Sequence, residues 1–157
     1  MAGIDFEFRK QWDTAIEDFK IFYQSPDGLT ETRCAYNFKS PASLITSDRD
    51  FYIIQFVRKD FPLPGDWSIF TKSLPTHSEC PVLPGRVRAI MHIAGFIYRP
   101  KIDEATGETH SDTFFISSVD IQGWVPNVLV NNFSASAPRK SILESEKGGI
   151  LYRKQHS

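Results

Sequence analysis

Before residue 121 the chain shows no helical repeat; it is a series of runs rich in β-branched and aromatic residues, each cut by Pro or Gly. Parallel strands need a crossover, usually helical, between them, so strands that follow one another directly predict an antiparallel meander. The runs fall at 16–23, 29–38, 49–59, 67–74, 86–98 and 113–121. The richest in β-forming residues is 49–59, Arg-Asp-Phe-Tyr-Ile-Ile-Gln-Phe-Val-Arg-Lys. Ser25-Pro26-Asp27-Gly28 between the first two is a hairpin turn, because Pro presets one dihedral and Gly supplies positive φ. Residues 40–48 and 75–85 read as loops, and Phe61-Pro62-Leu63-Pro64-Gly65 and Asp103–Glu108 as breaks. The unbroken apolarity of 86–98 predicts burial on both faces.

One helix follows. Val125, Val128, Leu129, Asn132, Phe133 and Ser136 recur at three and four residues, which is one helical face. Pro126 is tolerated in a first turn, Pro138 predicts a kink or an end, and Gly148-Gly149 a stop. The expected fold is α+β: a curved antiparallel sheet closed by a C-terminal helix over an apolar cavity.

The 157 residues predict a single domain, 1–157, with a sizeable core. Eighteen Lys plus Arg against nineteen Asp plus Glu leave no general basic field, which argues against a nucleic-acid partner. The longest apolar stretch, Ala89–Tyr98, is too short to span a bilayer. The N-terminus has no apolar signal segment, so Cys34 and Cys80 read as reduced thiols and a cytoplasmic location is expected.

Catalytic signatures are sparse. His77-x-x-Cys80 supplies two ligands where structural zinc takes four, so no metal and no cofactor is expected. Glu108-x-His110 reads as a solvated hairpin tip, and the sequon Asn132-Phe133-Ser134 as inert. The basic residues Arg139, Lys140, Arg153 and Lys154 read as a solvated face or an anionic-membrane contact. Polar residues among apolar ones carry more information. Gln55 shares a strand face with Ile53 and Val57, and Tyr36 shares one with Cys34 and Phe38. A buried amide or phenol needs a hydrogen bond, either within the core or to a ligand.

Five segments in order resemble the START family of lipid transfer domains. They are Arg9-x-x-Trp12-Asp13; Ser47-Asp48-Arg49-Asp50-Phe51; Thr71-Lys72-Ser73-Leu74; Cys80-Pro81 with Pro84-Gly85-Arg86-Val87-Arg88-Ala89; and Val119-Asp120-Ile121-Gln122-Gly123-Trp124-Val125-Pro126 with Leu129-Val130-Asn131. The resemblance covers residues 9 to about 144 and matches the C-terminal part of the domain, without the family's N-terminal helix and strands. It implies a helix-grip fold with a tunnel under the last helix, and non-catalytic binding and intermembrane transfer of one sterol, phospholipid or sphingolipid. Registration puts Tyr36 and Gln55 where some sterol-binding members place a carboxylate and an arginine. This neutral pair offers hydrogen bonds and no ion pair.

Within that fold the expected lipid-binding residues are Cys34, Tyr36, Phe51, Ile53, Gln55, Ala89, Met91 and Ile93 on strands, with Leu129, Asn132 and Phe133 on the helix. Val82 and Leu83, with Arg139 and Lys140, are expected at a transient membrane contact of a cytoplasmic protein that is peripheral at membranes. Asp50 and Arg88 are expected to be structural. Two other readings stay open: an enzyme with His92 as its acid/base, and a membrane-recruiting module that carries no lipid. Finally, the resemblance implies that 113–121, without the family's N-terminal strands beside it, is an edge; it lacks Lys and Pro, so self-association, strand addition from a partner or a longer native product is expected.

Overall fold

The computed structural model describes residues 5–40 and 46–156, with the side chains of Phe133 and His156 outside the description. Most of the expected 40–48 loop therefore lies outside the described residues, as does the side chain of Phe133. Helix α1 spans Phe6–Arg9. Strands β1 (Ile16–Gln24), β2 (Glu31–Phe38), β3 (Asp48–Lys59) and β4 (Trp67–Ser73) follow, then β5 (Arg86–Arg88), β6 (Ile90–Ile102) and β7 (Thr109–Asp120), and α2 spans Asn127–His156. The antiparallel order is β1-β2-β3-β4-β6-β7, with β5 paired in parallel to β3. The expected α+β helix-grip architecture is what forms. Its edges are β1 and β7.

The first turn forms as its residues dictate. The Asp27 carboxylate accepts from the backbone N–H groups of Leu29 and Thr30, each at 2.9 Å, and Gly28 takes φ 65°.

Four expectations are corrected. The run 86–98 is not one strand. The Ala89 N–H donates to the Asp50 carbonyl at 3.0 Å, and beyond it the chain leaves β3 for β4, so β5 and β6 are separate. Nor is that run buried on both faces: Ile90 is 40% and Ile93 38% exposed, because both helices lie on the other side. The α2 helix runs through Pro138 and through Gly148-Gly149. Ser134 and Pro138 are both exposed, so water can reach the carbonyl that proline leaves without a donor. Gly148 is buried because a Cβ there would lie 2.6 Å from ring carbons of Trp12. It is a packing position and not a stop.

The fourth correction concerns the face of α2. The apolar repeat expected to face the sheet is largely outside: Val128 is 68% exposed, and Asn132 and Ser136 are exposed. The helix is covered instead along Ser141, Ser145, Gly148 and Tyr152. Small residues there let the Trp12 ring and the Tyr98 hydroxyl approach closely.

Candidate functional site

Cross-strand partners share a face, so the register defines the inner side of the sheet. Tyr36 pairs with Phe51, Ile53 with Ser73, Ile69 with Phe96, and Phe96 with Phe115. Tyr36 and Tyr98 on this face are bonded to Arg9 and Ser145, so α1 and α2 both lie over it.

Cys34, Tyr36, Phe51, Ile53 and Ala89 meet in one buried cluster with Phe6 and Ile16, and Met91 packs against it. Six of the expected lining residues thus come together. Gln55 is 2% exposed on the same face, between Thr32 of β2 and Thr71 of β4. Ile93 does not join them. A bulge between Met91 and Ile93 inserts His92, so Met91 pairs with Val119 while Ile93 pairs with Ser118 on the opposite face. Strict alternation from Met91 gave the wrong side. Leu129 is half-buried and Asn132 exposed. His92, the base considered for an enzyme, is exposed at the bulge.

A polar constellation lies under α1. The Asp5 carboxylate accepts from Phe8 N–H at 2.9 Å and caps the short helix, which buries Phe6 and Phe8. Arg9 ends it. Its Nε donates to Asp13 Oδ2 at 2.8 Å, the i, i+4 spacing, and its Nη1 donates to the Tyr36 hydroxyl at 3.1 Å. The guanidinium also sits 5.4 Å from the Tyr36 ring centre and 5.8 Å from that of Trp12. Burial lowers the Arg9 pKa, but Tyr36 and the Asp13 carboxylate outweigh it and the net shift is upward. Burial drives the Tyr36 phenol up as well, against the pull of Arg9, so it stays protonated. Cys34 beside it is pushed up to about 12 by burial and is an inert thiol.

Two buried polar atoms on this side have no hydrogen-bond partner among the described residues, Gln55 Oε1 and Trp12 Nε1. A lone acceptor in an apolar wall is costly unless something donates to it. The sequence singled out Gln55. It did not single out α1, Trp12 or Tyr98 as site residues, although the Arg9/Asp13 spacing was a usable signal.

The helix above the site is held unevenly. Its C-terminal half is tied down by Thr14–Glu144 (2.5 Å), Tyr98–Ser145 (2.8 Å), the Trp12 ring on Gly148, and Phe8–Tyr152 (ring centres 5.3 Å). The stretch 131–136 is exposed wherever its side chains are described. Inner-face positions of the last hairpin are also only partly covered: Met91 is half-buried and Val119 37% exposed.

Of the expected membrane-contact residues, Val82 is 43% and Leu83 42% exposed. Arg139 and Lys140 are exposed along an open groove with Leu143 and Lys147. Asp50 and Arg88 form a two-pronged pair at 2.9 Å, with Asp50 1% exposed, which supports a structural role. Among the described residues, no group of three or more His, Cys, Asp or Glu could hold a metal ion, and no helix is long and apolar enough to cross a membrane.

No curated protein matches the chain in sequence. Among solved structures it resembles human STARD10, at 20% identity and TM-score 0.75, over 98% of this chain and 58% of that one. It also resembles human StAR-related lipid transfer protein 5, at 25% identity and TM-score 0.73, over 92% of this chain and 65% of that one. A STAR-related lipid transfer protein from Xanthomonas axonopodis matches at 17% identity and TM-score 0.62, over 89% and 71%. The chain thus spans less than two thirds of the first two. The START domain family model matches residues 5–138, so the chain belongs to the START domain family.

Proposed function

We propose that the chain binds a single lipid between the inner face of its sheet and the N-terminal half of α2, and carries it between membranes without catalysis. The observation that carries this reading is Gln55 Oε1, a buried acceptor without a hydrogen-bond partner among the described residues, on the face it shares with Cys34, Phe51 and Ile53 and between Thr32 and Thr71. A largely apolar face with one unsatisfied acceptor suits a long hydrocarbon ligand bearing a donor such as a hydroxyl or amide. The solved neighbours named as lipid transfer proteins support the same reading. The uneven anchoring of α2 supplies a way in: residues 127–137 can lift while 141–152 stay held.

Delivery requires a membrane contact. Val82 and Leu83 would insert, and Arg139 and Lys140 would add up to ~1 kcal/mol each at an anionic surface, falling with salt. This reading places the protein in the cytoplasm, peripheral at membranes. The edge strand β7 serves it as a self-association surface.

Native mass spectrometry after incubation with mixed-lipid vesicles tests the proposal. Retained lipid is expected, reduced by Met91→Trp on the inner face and unchanged by Ile93→Trp on the outer. Turnover of a bound lipid, no lipid at all, or equal loss in both variants would refute it.

A further inference from the structure

Two loops at one end of the sheet carry exposed apolar residues, and a guanidinium grips each in the same way. Arg49 of β3 donates from Nε to the Ile121 carbonyl at 2.8 Å and from Nη2 to the Gln122 carbonyl at 3.0 Å. Arg88 of β5, itself held by Asp50 of β3, donates from Nη2 to the Cys80 and Pro81 carbonyls at 3.1 and 3.3 Å. The first fork captures two consecutive carbonyls just before Trp124, and the second captures two just before Val82 and Leu83. The loops are neighbours. Arg49 pairs with Val87 across β3 and β5, and a Cβ at Gly123 would lie 3.5 Å from Val87 Cγ1. The Arg86 N–H closes a turn onto the Leu83 carbonyl at 3.1 Å.

The backbone before Trp124 is set as firmly. Gln122 takes φ 51° and Gly123 φ 71°, and the first of these is a left-handed residue without glycine's freedom. It is held from both sides: Asp120 Oδ1 accepts from its N–H at 2.9 Å, and Arg49 takes its carbonyl. Backbone held against its preference points to a segment whose shape is used. What it presents is Trp124, 74% exposed, more than any other large apolar side chain among the described residues. From Cys80 to Gly85 and from Ile121 to Pro138 the chain has no charged residue, so neither stretch would carry an ion into a bilayer. The first charges along α2 are Arg139 and Lys140, of the sign that an anionic leaflet attracts.

We infer that Trp124 enters the bilayer interface together with Val82 and Leu83, as one preformed tip whose shape is set by Arg49 and Arg88. This rests on the membrane-contact reading of Val82 and Leu83, and goes beyond it by adding an indole anchor and two positioning residues. An indole suits headgroup depth because its body is apolar and its N–H is polar. Loops already held in one shape lose little backbone freedom on docking, which strengthens the contact.

Partition of the whole chain into phosphatidylcholine vesicles with a minor share of phosphatidylserine tests this, with bromine on the acyl chains to quench tryptophan fluorescence. The vesicles should quench the native chain. In Trp124→Ala, which keeps Trp12 and Trp67, quenching should disappear and the partition coefficient should fall by about tenfold. Its melting should be unchanged, because the residue is exposed. Arg49→Lys and Arg88→Lys keep the charge but lose the fork, and each should lower partition by about threefold. Gln122→Gly fits the left-handed backbone without loss of fold, yet frees the segment, and should also lower partition by about threefold with no fall in melting temperature. Native-like partition and quenching in Trp124→Ala would overturn the indole anchor. Native-like partition in Arg49→Lys and Gln122→Gly would overturn the positioning roles. No partition by the native chain would overturn the tip and the membrane contact together. Partition lost in the double variant Val82→Asp, Leu83→Asp but kept in Trp124→Ala would overturn the shared tip alone. Lipid retention is read separately, by native mass spectrometry.

Discussion

The contact between the Trp12 ring and Gly148 holds α2 over the sheet, and two adjacent glycines allow its strength to be read. A Cβ at 148 would lie 2.6 Å from Trp12 Cδ2, 2.6 Å from Cε2 and 2.9 Å from Cγ. Carbon–carbon contacts are optimal at ~3.5–4.0 Å, so the ring or the helix must retreat by about 1 Å. Overpacking of this size costs ~1–3 kcal/mol. Replacing a mid-helix glycine by alanine returns ~1 kcal/mol of helix propensity. Gly148→Ala should therefore be net neutral to destabilising, by up to about 2 kcal/mol. At Gly149 a Cβ meets nothing within 4 Å, so Gly149→Ala should keep the whole gain of ~1 kcal/mol. The two variants differ by ~1–3 kcal/mol, and for a chain this size each kcal/mol moves Tm by ~2–4 °C. Thermal melts followed by circular dichroism would resolve that gap. In a Trp12→Ala background the ring is gone and both alanines should stabilise alike. Equal stabilisation by Gly148→Ala and Gly149→Ala in the native background would refute the clamp.

The remaining predictions concern stability and ligand. Gln55→Met removes an acceptor without a partner and should raise lipid-free stability by about 1 kcal/mol while weakening retention of a hydroxyl-bearing lipid; urea melts and native mass spectra report each, and a loss of stability would show that Gln55 is internally satisfied. Arg88→Ala leaves Asp50 buried and unpaired, which should cost about 3 kcal/mol by chemical denaturation. Lys101→Ala at the exposed pair with Asp112 should cost well under 1 kcal/mol. Burial holds the Cys34 thiol up to about 12, so between pH ~9 and 12 the unfolded chain loses this proton first and stability falls as pH rises. Cys34→Ala should flatten that alkaline slope, and an unchanged slope would assign the effect elsewhere.

The strands and their order were legible because period-two patterning and Pro/Gly punctuation are local signals. Residues 16–24, 31–38, 48–59 and 67–73 appear as strands within two residues of where their composition placed them. The inner face of β2 and β3 was equally legible: alternation alone put Cys34, Tyr36, Phe51, Ile53 and Gln55 on one side. Alternation failed at β6, where one inserted residue, His92, sends Ile93 to the outer face. A bulge is chosen by the neighbouring strand and leaves little mark on its own sequence.

The helix shows the limit most clearly. Its apolar repeat at 125–136 and its glycines at 148–149 pointed to an inward first half and an early stop. Propensity is a local and small contribution, and contacts between distant segments exceed it. Trp12, far away in sequence, turns Gly148 from a terminator into a packing position against its ring, and Ser145 serves Tyr98 in the same way. The sequence by itself determined an antiparallel sheet, a C-terminal helix and an apolar inner face, because each follows from neighbours along the chain. Only the tertiary structure decided which helix face meets the sheet, where Arg9 finds Asp13 and Tyr36, and that Gln55 Oε1 has no hydrogen-bond partner among the described residues. Those outcomes depend on side chains brought together from distant parts of the sequence, whose fit no local pattern encodes.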